Sequence, residues 1–513
     1  MNKAQRIFTL ILLMIVIPVL TWLVALAKLH DMPKDNTFKF IQYAFNKTIA
    51  FEDWRLIAIY IVSLILTFVI AKFAGLLDDP GFKGHKYKKF LRGTKIVTKE
   101  KLSEMTKEKD KEQITISGVP IPTDIENLHL LLNGSTGAGK SVTLREMIEC
   151  AINRGDRLVI VDPNADMFSK FAKKGDVLLN PFDKRTKGWS IFNEIKAAFD
   201  YRNYTRSIVP KSADSSSEEW NGFARVMLES VMKVLKVNKG IGKTPSMSEV
   251  TNLSTVISAE ELKGRLVGTD AESMFIEGSE KALGSARFVL SSRLPIFKEM
   301  PYGNFSIRDF LEKGKGNLYI TWKESQKSAL TPIISAWIDI VCSSVLSLDE
   351  NKDRKIWLFL DELASLDNIG SLDDALTKGR KNGLRVVAGV QSISQLKQIY
   401  GREGATVLMS NFRSLVVMGG SKTDSETSEE MSRALGEHEV LRESINKSMS
   451  KGVSTRSKSE QAQRERVIMP SEIASMPNLE GIISFAGNYP ICRFKSEYKE
   501  YARINKPFVD SDL

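Results

Sequence analysis

The stretch that most constrains the fold is an octapeptide of the form G-x-x-x-x-G-K-[ST]. A short apolar run, residues 128–132, precedes it, and residues 142–149 after it have the composition and apolar spacing of a helix. A strand, a glycine-rich turn and the start of a helix are the context in which this pattern forms a phosphate-binding loop. The glycines let backbone N–H groups surround a phosphate, and the helix N-terminus adds partial positive charge. The residues of the octapeptide are Gly134, Ser135, Thr136, Gly137, Ala138, Gly139, Lys140 and Ser141.

This pattern predicts a nucleoside triphosphate site with ATP and Mg²⁺ as its cofactors. Lys140 is expected to reach the β and γ phosphates, and the Ser141 hydroxyl is expected to help hold Mg²⁺. A second part of the site is predicted where the apolar run 355–360 ends in Asp361 and Glu362. Asp361 would bind the Mg²⁺, directly or through water, and Glu362 would orient and polarise the attacking water. An acid pair of this kind suits ATP hydrolysis better than phosphoryl transfer to a small substrate.

Two further polar positions are candidates for catalytic roles. Gln391 ends the apolar run 386–390 and could sense the γ-phosphate or hold the water. Arg380 lies in the basic turn 377–383 and could reach the nucleotide of a neighbouring subunit, because transition-state charge on the γ-phosphate rewards a bidentate cation. From these residues alone, a solvated basic turn is the better interpretation of Arg380.

Apolar runs alternating with helical patterns predict an α/β domain with a mainly parallel sheet. Strands are predicted at 157–161, 177–179, 317–322, 355–360, 384–390 and 414–418. From about residue 193 to 300 the pattern is helical, with few β-rich runs, which indicates an inserted helical domain. The polar, serine-rich stretch from about 421 to 466 is predicted to be a mobile loop or a subunit-surface segment.

Two apolar stretches near the N-terminus predict a membrane anchor. Residues 7–27 and 56–77 are each long enough to cross a bilayer core of about 30 Å. Lys and Arg precede the first stretch and crowd the exit of the second, so the positive-inside rule places both ends in the cytoplasm and residues 28–55 outside. A cleavable signal peptide is the alternative for the first stretch. The net charge of +11 would favour an anionic partner, and three distant cysteines support neither a disulfide framework nor a zinc site.

Together these features resemble the type IV secretion coupling proteins of conjugative plasmids, the TrwB/TraD family. The resemblance covers essentially the whole chain. The segments that carry it are Gly134–Ser141, Asn180–Asp183 with Trp189, Asp361–Leu366, Ala375–Lys381, Val387–Leu396, Phe412–Ser421 and Val467–Pro470.

The resemblance implies a RecA-like P-loop ATPase domain (78–190 and 301–513), an inserted all-α domain (191–300) and an anchor of two transmembrane helices (1–77). It implies a two-pass protein of the bacterial inner membrane, with a periplasmic loop and a cytoplasmic ATPase. It further implies a homo-hexamer that uses ATP to move single-stranded DNA with its relaxase into the secretion channel. The implied partners are relaxosome proteins, channel subunits, and single- or double-stranded DNA bound largely without sequence preference. Arg380 becomes an expected arginine finger, and Gln391 an expected γ-phosphate sensor.

Two other functions stay open at this point. One is a receptor that recruits substrates to a secretion channel, with hydrolysis secondary. The other is a chromosomal DNA translocase of the FtsK kind. Those translocases usually carry more spans, a long linker and a C-terminal DNA-reading domain.

Overall fold

The computed structural model describes residues 3–29, 42–43, 46, 54–73, 87, 89–239, 244–450 and 453–511. The chain divides into two compact units, Met1–Lys86 and Tyr87–Leu513. The first unit contains helix α1 (Lys3–Leu29) and helix α2 (Trp54–Phe73). By length and composition alone, residues Trp54–Lys72 could cross a membrane, and the apolar part of α1 from Leu12 to Leu26 is shorter. Apolar side chains are exposed along α2; Val62 and Ile65, for example, are 62% and 59% exposed.

The second unit is built on a ten-stranded sheet whose central strands are buried on both faces. From one edge to the other its strands are β2 (Ile96–Val97), β15 (Ile491–Lys495), β14 (Glu480–Ser484), β11 (Ser414–Met418), β5 (Leu130–Asn133), β10 (Leu384–Val390), β9 (Ile356–Leu360), β6 (Arg157–Pro163), β8 (Leu318–Trp322) and β7 (Val177–Leu179). All neighbours from β11 to β7 are parallel. Every residue of β9 and β10 is buried, as parallel strands covered by helices on both faces require. The predicted strands and their mainly parallel arrangement are therefore confirmed.

Apolar cores formed with helices lie on both faces of this sheet. The helices of the second unit are α3 (Lys99–Thr106), α4 (Lys140–Arg154), α5 (Asp166–Phe171), α6 (Ala198–Ile208), α7 (Ser215–Lys239), α8 (Met247–Thr251), α9 (Ala259–Leu266), α10 (Glu280–Arg293), α11 (Pro295–Lys298), α12 (Ile307–Lys313), α13 (Lys327–Leu346), α14 (Leu372–Lys378), α15 (Ile393–Ser410), α16 (Ser425–Leu435) and α17 (Pro470–Ala474). Helix α13 is also long and apolar, but most of it is buried in the core of this unit.

The two faces of β5 belong to different apolar cores because successive side chains of a strand point to opposite faces. Leu130 and Leu132 pack in the core that contains residues of α4, such as Leu144. Leu131 packs in the other core, which continues through α13 into helices α6 to α12. Among the described residues between β7 and β8, these helices and short turns make up the chain, and no strand interrupts them.

The structure corrects the prediction of a mobile loop over the polar stretch 421–466, whereas a place on a subunit surface stays a prediction. Residues Ser425–Leu435 form α16, which buries Met431 and Leu435, and the rest forms a hairpin of β12 (Glu437–Ser450) and β13 (Val453–Arg466). Strand β1 (Lys89–Gly93) pairs with β12 and makes a separate three-stranded sheet. At the base of the hairpin, cross-strand ion pairs such as Arg442–Glu465 (2.8 Å) replace the apolar alternation from which a strand would have been recognised. A second small hairpin, β3 (Thr115–Ile116) and β4 (Val119–Pro120), lies near the start of the unit.

Candidate nucleotide-binding site

The predicted phosphate-binding loop connects the carboxyl end of β5 to the first residue of α4. Gly137 and Gly139 have φ values of +79° and +119°, in a backbone region that residues other than glycine rarely adopt. A Cβ at Gly139 would lie 2.7 Å from the Met418 methyl carbon and 3.3 Å from the Leu479 Cα atom. The loop therefore needs glycine at this position for its conformation and for its close packing.

Backbone hydrogen bonds hold this loop from three sides. The Gly134 N–H donates to the Val390 carbonyl (3.2 Å), and the Ser135 N–H donates to the Gly419 carbonyl (2.8 Å). The Leu479 N–H donates to the Ala138 carbonyl (2.8 Å). The ends of β10 and β11 and the segment before β14 thus fix the loop, although they are 250 to 350 residues away in sequence. Local sequence patterns contain no signal for the contact with Leu479.

Lys140 is the first residue of α4, and only 7% of its surface is exposed. Its Nζ atom donates to the carbonyl oxygen of Gly134 (2.6 Å), so the side chain curls back over the loop. Burial lowers the pKa of Lys140, and the nearby charges of Glu362 and Asp361 oppose that shift. The ammonium therefore lies between the loop and the acid pair.

The structure brings Ser141 and Asp361 together across 220 residues of sequence. The Ser141 hydroxyl donates to the Asp361 carboxylate at 3.5 Å. Burial raises the pKa of Asp361, while the Lys140 charge and the Ser141 hydroxyl lower it. A hydroxyl beside a carboxylate fits Mg²⁺, which takes one or two protein ligands and completes its shell with phosphate and water. Among the described residues, no group of three or more His, Cys, Asp and Glu side chains could hold a metal.

Glu362 follows Asp361, and its side chain lies near Lys140 and Gln391. Both of its carboxylate oxygens are buried, and neither accepts a well-formed hydrogen bond from the described residues, although Gln391 lies close enough to act on the carboxylate. Burial raises its pKa, and the Lys140 charge and the side chain of Gln391 lower it. Gln391 also accepts a hydrogen bond from the Thr136 hydroxyl (2.9 Å), which joins it to the phosphate-binding loop. Buried carboxylate oxygens without a well-formed hydrogen bond indicate that a polar ligand or water completes the site.

Gly389 is a site residue that the sequence patterns did not identify. A Cβ at this position would lie 1.9 Å from the backbone oxygen of Asp361, so β10 approaches the end of β9 more closely than any side chain permits. A glycine inside an apolar strand is the available signal for such an approach. Gly389 thereby sets the spacing between Asp361 and Gln391.

Arg380 does not join these residues within one chain. It is exposed in the turn Gly379–Asn382, which leads into β10, whereas Gln391 follows the opposite end of that strand. Seven residues at about 3.3 Å each separate the two ends by roughly 20 Å. Five predicted residues, Lys140, Ser141, Asp361, Glu362 and Gln391, thus cluster at the carboxyl edge of the sheet, and Arg380 lies at the amino edge.

Other residues in the segments that carried the resemblance have structural contacts. The Trp189 indole N–H donates to Glu194 (2.7 Å), and Asp183 pairs with Arg185 (2.6 Å) and accepts the Val509 N–H. A further acid at the carboxyl edge, Asp162, is also engaged. Burial raises the pKa of Asp162 to about 7, and its carboxylate accepts two backbone N–H groups at the start of α5.

Comparison with known proteins places this site in context. Residues 113–497 match the family model described as the type IV secretion-system coupling protein DNA-binding domain. The chain is 28% identical to the coupling protein TraD of Escherichia coli (strain K12) over 418 residues, which is 78% of this chain and 57% of TraD. The chain thus spans less than two thirds of the length of this curated relative.

Solved structures cover more of the chain. The unbound bacterial conjugative coupling protein TrwBdeltaN70 is 51% identical, with a TM-score of 0.79, and the match covers 84% of this chain and 99% of that one. The plasmid coupling protein TrwB in complex with ADP and Mg²⁺ matches with 51% identity, a TM-score of 0.78, and coverage of 84% and 100%.

Proposed function

Because the chain belongs to the family of the type IV secretion-system coupling protein DNA-binding domain, we propose that it is a coupling protein of bacterial conjugation, driven by hydrolysis of ATP. The observation that carries the proposal is the convergence of Lys140, Ser141, Asp361 and Glu362 at one edge of the sheet. In particular, both oxygens of the Glu362 carboxylate are buried near Lys140 and Gln391, and neither accepts a well-formed hydrogen bond from the described residues. A carboxylate with free lone pairs beside the phosphate-binding loop is suited to hold the attacking water molecule.

In this proposal Gly134–Ser141 surrounds the phosphates of ATP, and Ser141 and Asp361 hold Mg²⁺. The match to TrwB bound to ADP and Mg²⁺ supports the choice of nucleotide and metal. The chemistry that Mg²⁺ supplies when bound is neutralisation of charge on the β and γ phosphates. Lys140 adds a positive charge beside the same phosphates.

Glu362 orients the attacking water and accepts its proton. Burial raises the pKa of this carboxyl, which makes it a better base, and the charge of Lys140 keeps it ionised. Gln391 accepts a hydrogen bond from Thr136 of the loop, and its side chain also lies close enough to Glu362 to lower the pKa of that carboxyl. It can therefore respond to the presence of the γ-phosphate.

Arg380 serves the site of a neighbouring subunit in this proposal. It is exposed and lies at the far edge of the sheet from the loop of its own chain. A homo-hexameric ring, with each subunit presenting Arg380 to the next, would complete every site. Residues 78–190 and 301–513 would form the motor domain, with 191–300 as an inserted all-α domain.

The first unit would anchor this motor in the bacterial inner membrane. Helices α1 and α2 would span the bilayer, with residues 28–55 in the periplasm and both termini in the cytoplasm. The exposed apolar side chains of α2 support contact with lipid. The partners would be DNA bound without sequence preference, the relaxase with its relaxosome, and subunits of the secretion channel.

The test is ATP hydrolysis by the full chain in detergent, measured against single-stranded DNA over a range of protein concentrations. We expect DNA to stimulate turnover, with a steep dependence on protein concentration from assembly and a steep decrease with salt. A turnover rate that DNA leaves unchanged at every protein concentration would refute the DNA-motor proposal. Substrate recruitment that persists in Lys140→Ala, with DNA transfer retained, would instead indicate a receptor.

A further inference from the structure

A buried network of charged side chains lies at the amino edge of the sheet, opposite the phosphate-binding loop. Glu126 accepts two hydrogen bonds from Arg154, the last residue of α4, at 2.6 and 3.0 Å. The same carboxylate accepts a third from Arg385 of β10 at 3.0 Å. None of these three side chains is more than 6% exposed. Glu126 therefore ties the helix that follows the phosphate-binding loop to the strand that follows Arg380.

Arg385 passes this constraint on to the turn that carries Arg380. Its guanidinium donates to the carbonyl oxygens of Gly383 and Arg354, both at 3.0 Å. Gly383 in turn donates its N–H to the Arg380 carbonyl at 3.2 Å. The carboxyl side of the turn is thus fixed by a side chain that Glu126 holds in place.

His129 fixes the other side of the turn. Its Nδ1 atom accepts the Val386 N–H (3.0 Å), which leaves the proton on Nε2, and Nε2 donates to the carbonyl oxygen of Leu376 (2.9 Å). Leu376 lies in α14, four residues before Arg380. His129 and Glu126 belong to one short segment that leads directly into β5.

Two features indicate that this arrangement is specific. The backbone of His129 has φ 60° and ψ 154°, a conformation that residues other than glycine seldom adopt. Such strain persists only where the surrounding structure enforces it. Removal of one partner from a buried ion pair leaves an uncompensated charge, so the geometry around Glu126 depends on both of its arginines. Both features occur in the segment that holds the Arg380 turn.

We propose that Glu126 and His129 are positioning residues for Arg380. They hold the turn Gly379–Asn382 in the orientation from which Arg380 reaches the nucleotide of the neighbouring subunit. Because their segment continues into β5 and the phosphate-binding loop, each subunit aligns the arginine it presents with its own nucleotide-binding strand. This inference rests on the proposed role of Arg380 between subunits.

Mixed oligomers of the full chain separate these roles. Arg380→Ala subunits keep an intact phosphate-binding loop and receive an arginine, whereas Lys140→Ala subunits donate one. We expect the mixture to recover ATP turnover that neither variant has alone. Glu126→Gln is then added to the donor. We expect the recovered kcat to fall by about tenfold or more, since a misplacement of about 1 Å costs on the order of a hundredfold, while the KM for ATP stays unchanged.

Three controls make the result specific. Glu126→Gln placed in the receiver subunit should leave the recovered rate within about twofold, because the receiver's own turn is not used. If Glu126 had a purely structural role, the substitution would lower the recovered rate equally in the donor and in the receiver. Lys381→Ala in the donor removes only the exposed ion pair of Lys381 with Glu350 and should have no effect. Arg385→Lys in the donor keeps the buried charge but loses the two separate nitrogens with which arginine bonds Glu126 and the carbonyls of Gly383 and Arg354. This variant covers the case that Glu126→Gln misfolds.

The outcomes distinguish the two proposals. No recovery in the mixture of Lys140→Ala and Arg380→Ala overturns the role of Arg380 between subunits, and this inference with it. Full recovery with a folded donor that carries Glu126→Gln or Arg385→Lys overturns the inference alone. Equal loss from donor and receiver placements also overturns it.

Discussion

Gly389→Ala is the substitution whose effect the structure defines most sharply. The added Cβ would lie 1.9 Å from the Asp361 backbone oxygen, about 1.5 Å inside the 3.4 Å at which ordinary contacts begin. The obstacle is backbone at the carboxyl end of two buried strands, so the ends of β9 and β10 must separate. Overpacking of this kind costs about 1–3 kcal/mol of stability.

The consequence for catalysis should exceed the loss of stability. The strand ends that separate carry Asp361 and Glu362 on one side and Gln391 on the other. A shift of about 1 Å in such groups costs on the order of a hundredfold in turnover. The loop Gly134–Ser141 makes most of the contacts with nucleotide, so we expect the affinity for ATP to fall by less than about tenfold.

The assay is kcat for ATP hydrolysis, with nucleotide affinity and thermal unfolding measured on the same samples. Gly222→Ala is the matched control, because a Cβ there meets nothing within 4 Å and lies within helix α7. It should be neutral or stabilise the protein by up to about 1 kcal/mol. A Gly389→Ala protein with wild-type turnover and unchanged unfolding would refute the close approach of β9 and β10.

Three further substitutions test separate parts of the structure. Glu362→Gln should reduce turnover by at least about a hundredfold while ATP binding, measured by titration, is retained; loss of binding would contradict its role toward the water. Burial lowers the pKa of His129 from 6.5 to about 4, so the unfolded chain binds a proton in this range that the folded chain excludes. The free energy of unfolding should therefore fall by about 3 kcal/mol more in the wild type than in His129→Asn between pH 6.5 and 4. An equal pH dependence of thermal unfolding in the two proteins would contradict this; both retain Asp162, whose raised pKa acts in the opposite direction. Glu194→Gln should lower the melting temperature without changing the affinity for ATP, because four donors converge on this buried carboxylate. The donors are the Trp189 indole N–H, the Ser306 hydroxyl and the N–H groups of residues 307 and 308. An unchanged melting temperature would contradict that account, and Glu312→Gln at a half-exposed position is the control.

Local patterns predicted the nucleotide half of the site well. The octapeptide and its flanking apolar runs placed Gly134–Ser141 between β5 and α4, and the run before Asp361 predicted β9 nearly to the residue. These features can be predicted because hydrophobic periodicity and glycine positions depend on the backbone conformation of only a few neighbouring residues. The hairpin of β12 and β13 was missed because its polar strands lack that periodicity, and its pairing with β1 is non-local.

The remaining features depend on contacts that the order of residues does not reveal. Gly389 is indispensable only because β10 lies beside β9, and Glu126 matters only because Arg154 and Arg385 converge on it from distant positions.

The sequence by itself determined that this chain has a phosphate-binding loop, an acid pair at a strand end and two apolar N-terminal stretches. Each of these is a short-range property, since it depends on neighbours within one strand, turn or helix. Only the tertiary structure decided that Ser141 meets Asp361, that the Glu362 carboxylate is buried near Lys140 and Gln391, and that Arg380 lies at the opposite edge from its own loop. The physical reason is the parallel sheet, which collects distant strand ends at one edge and sends the turns between them to the other.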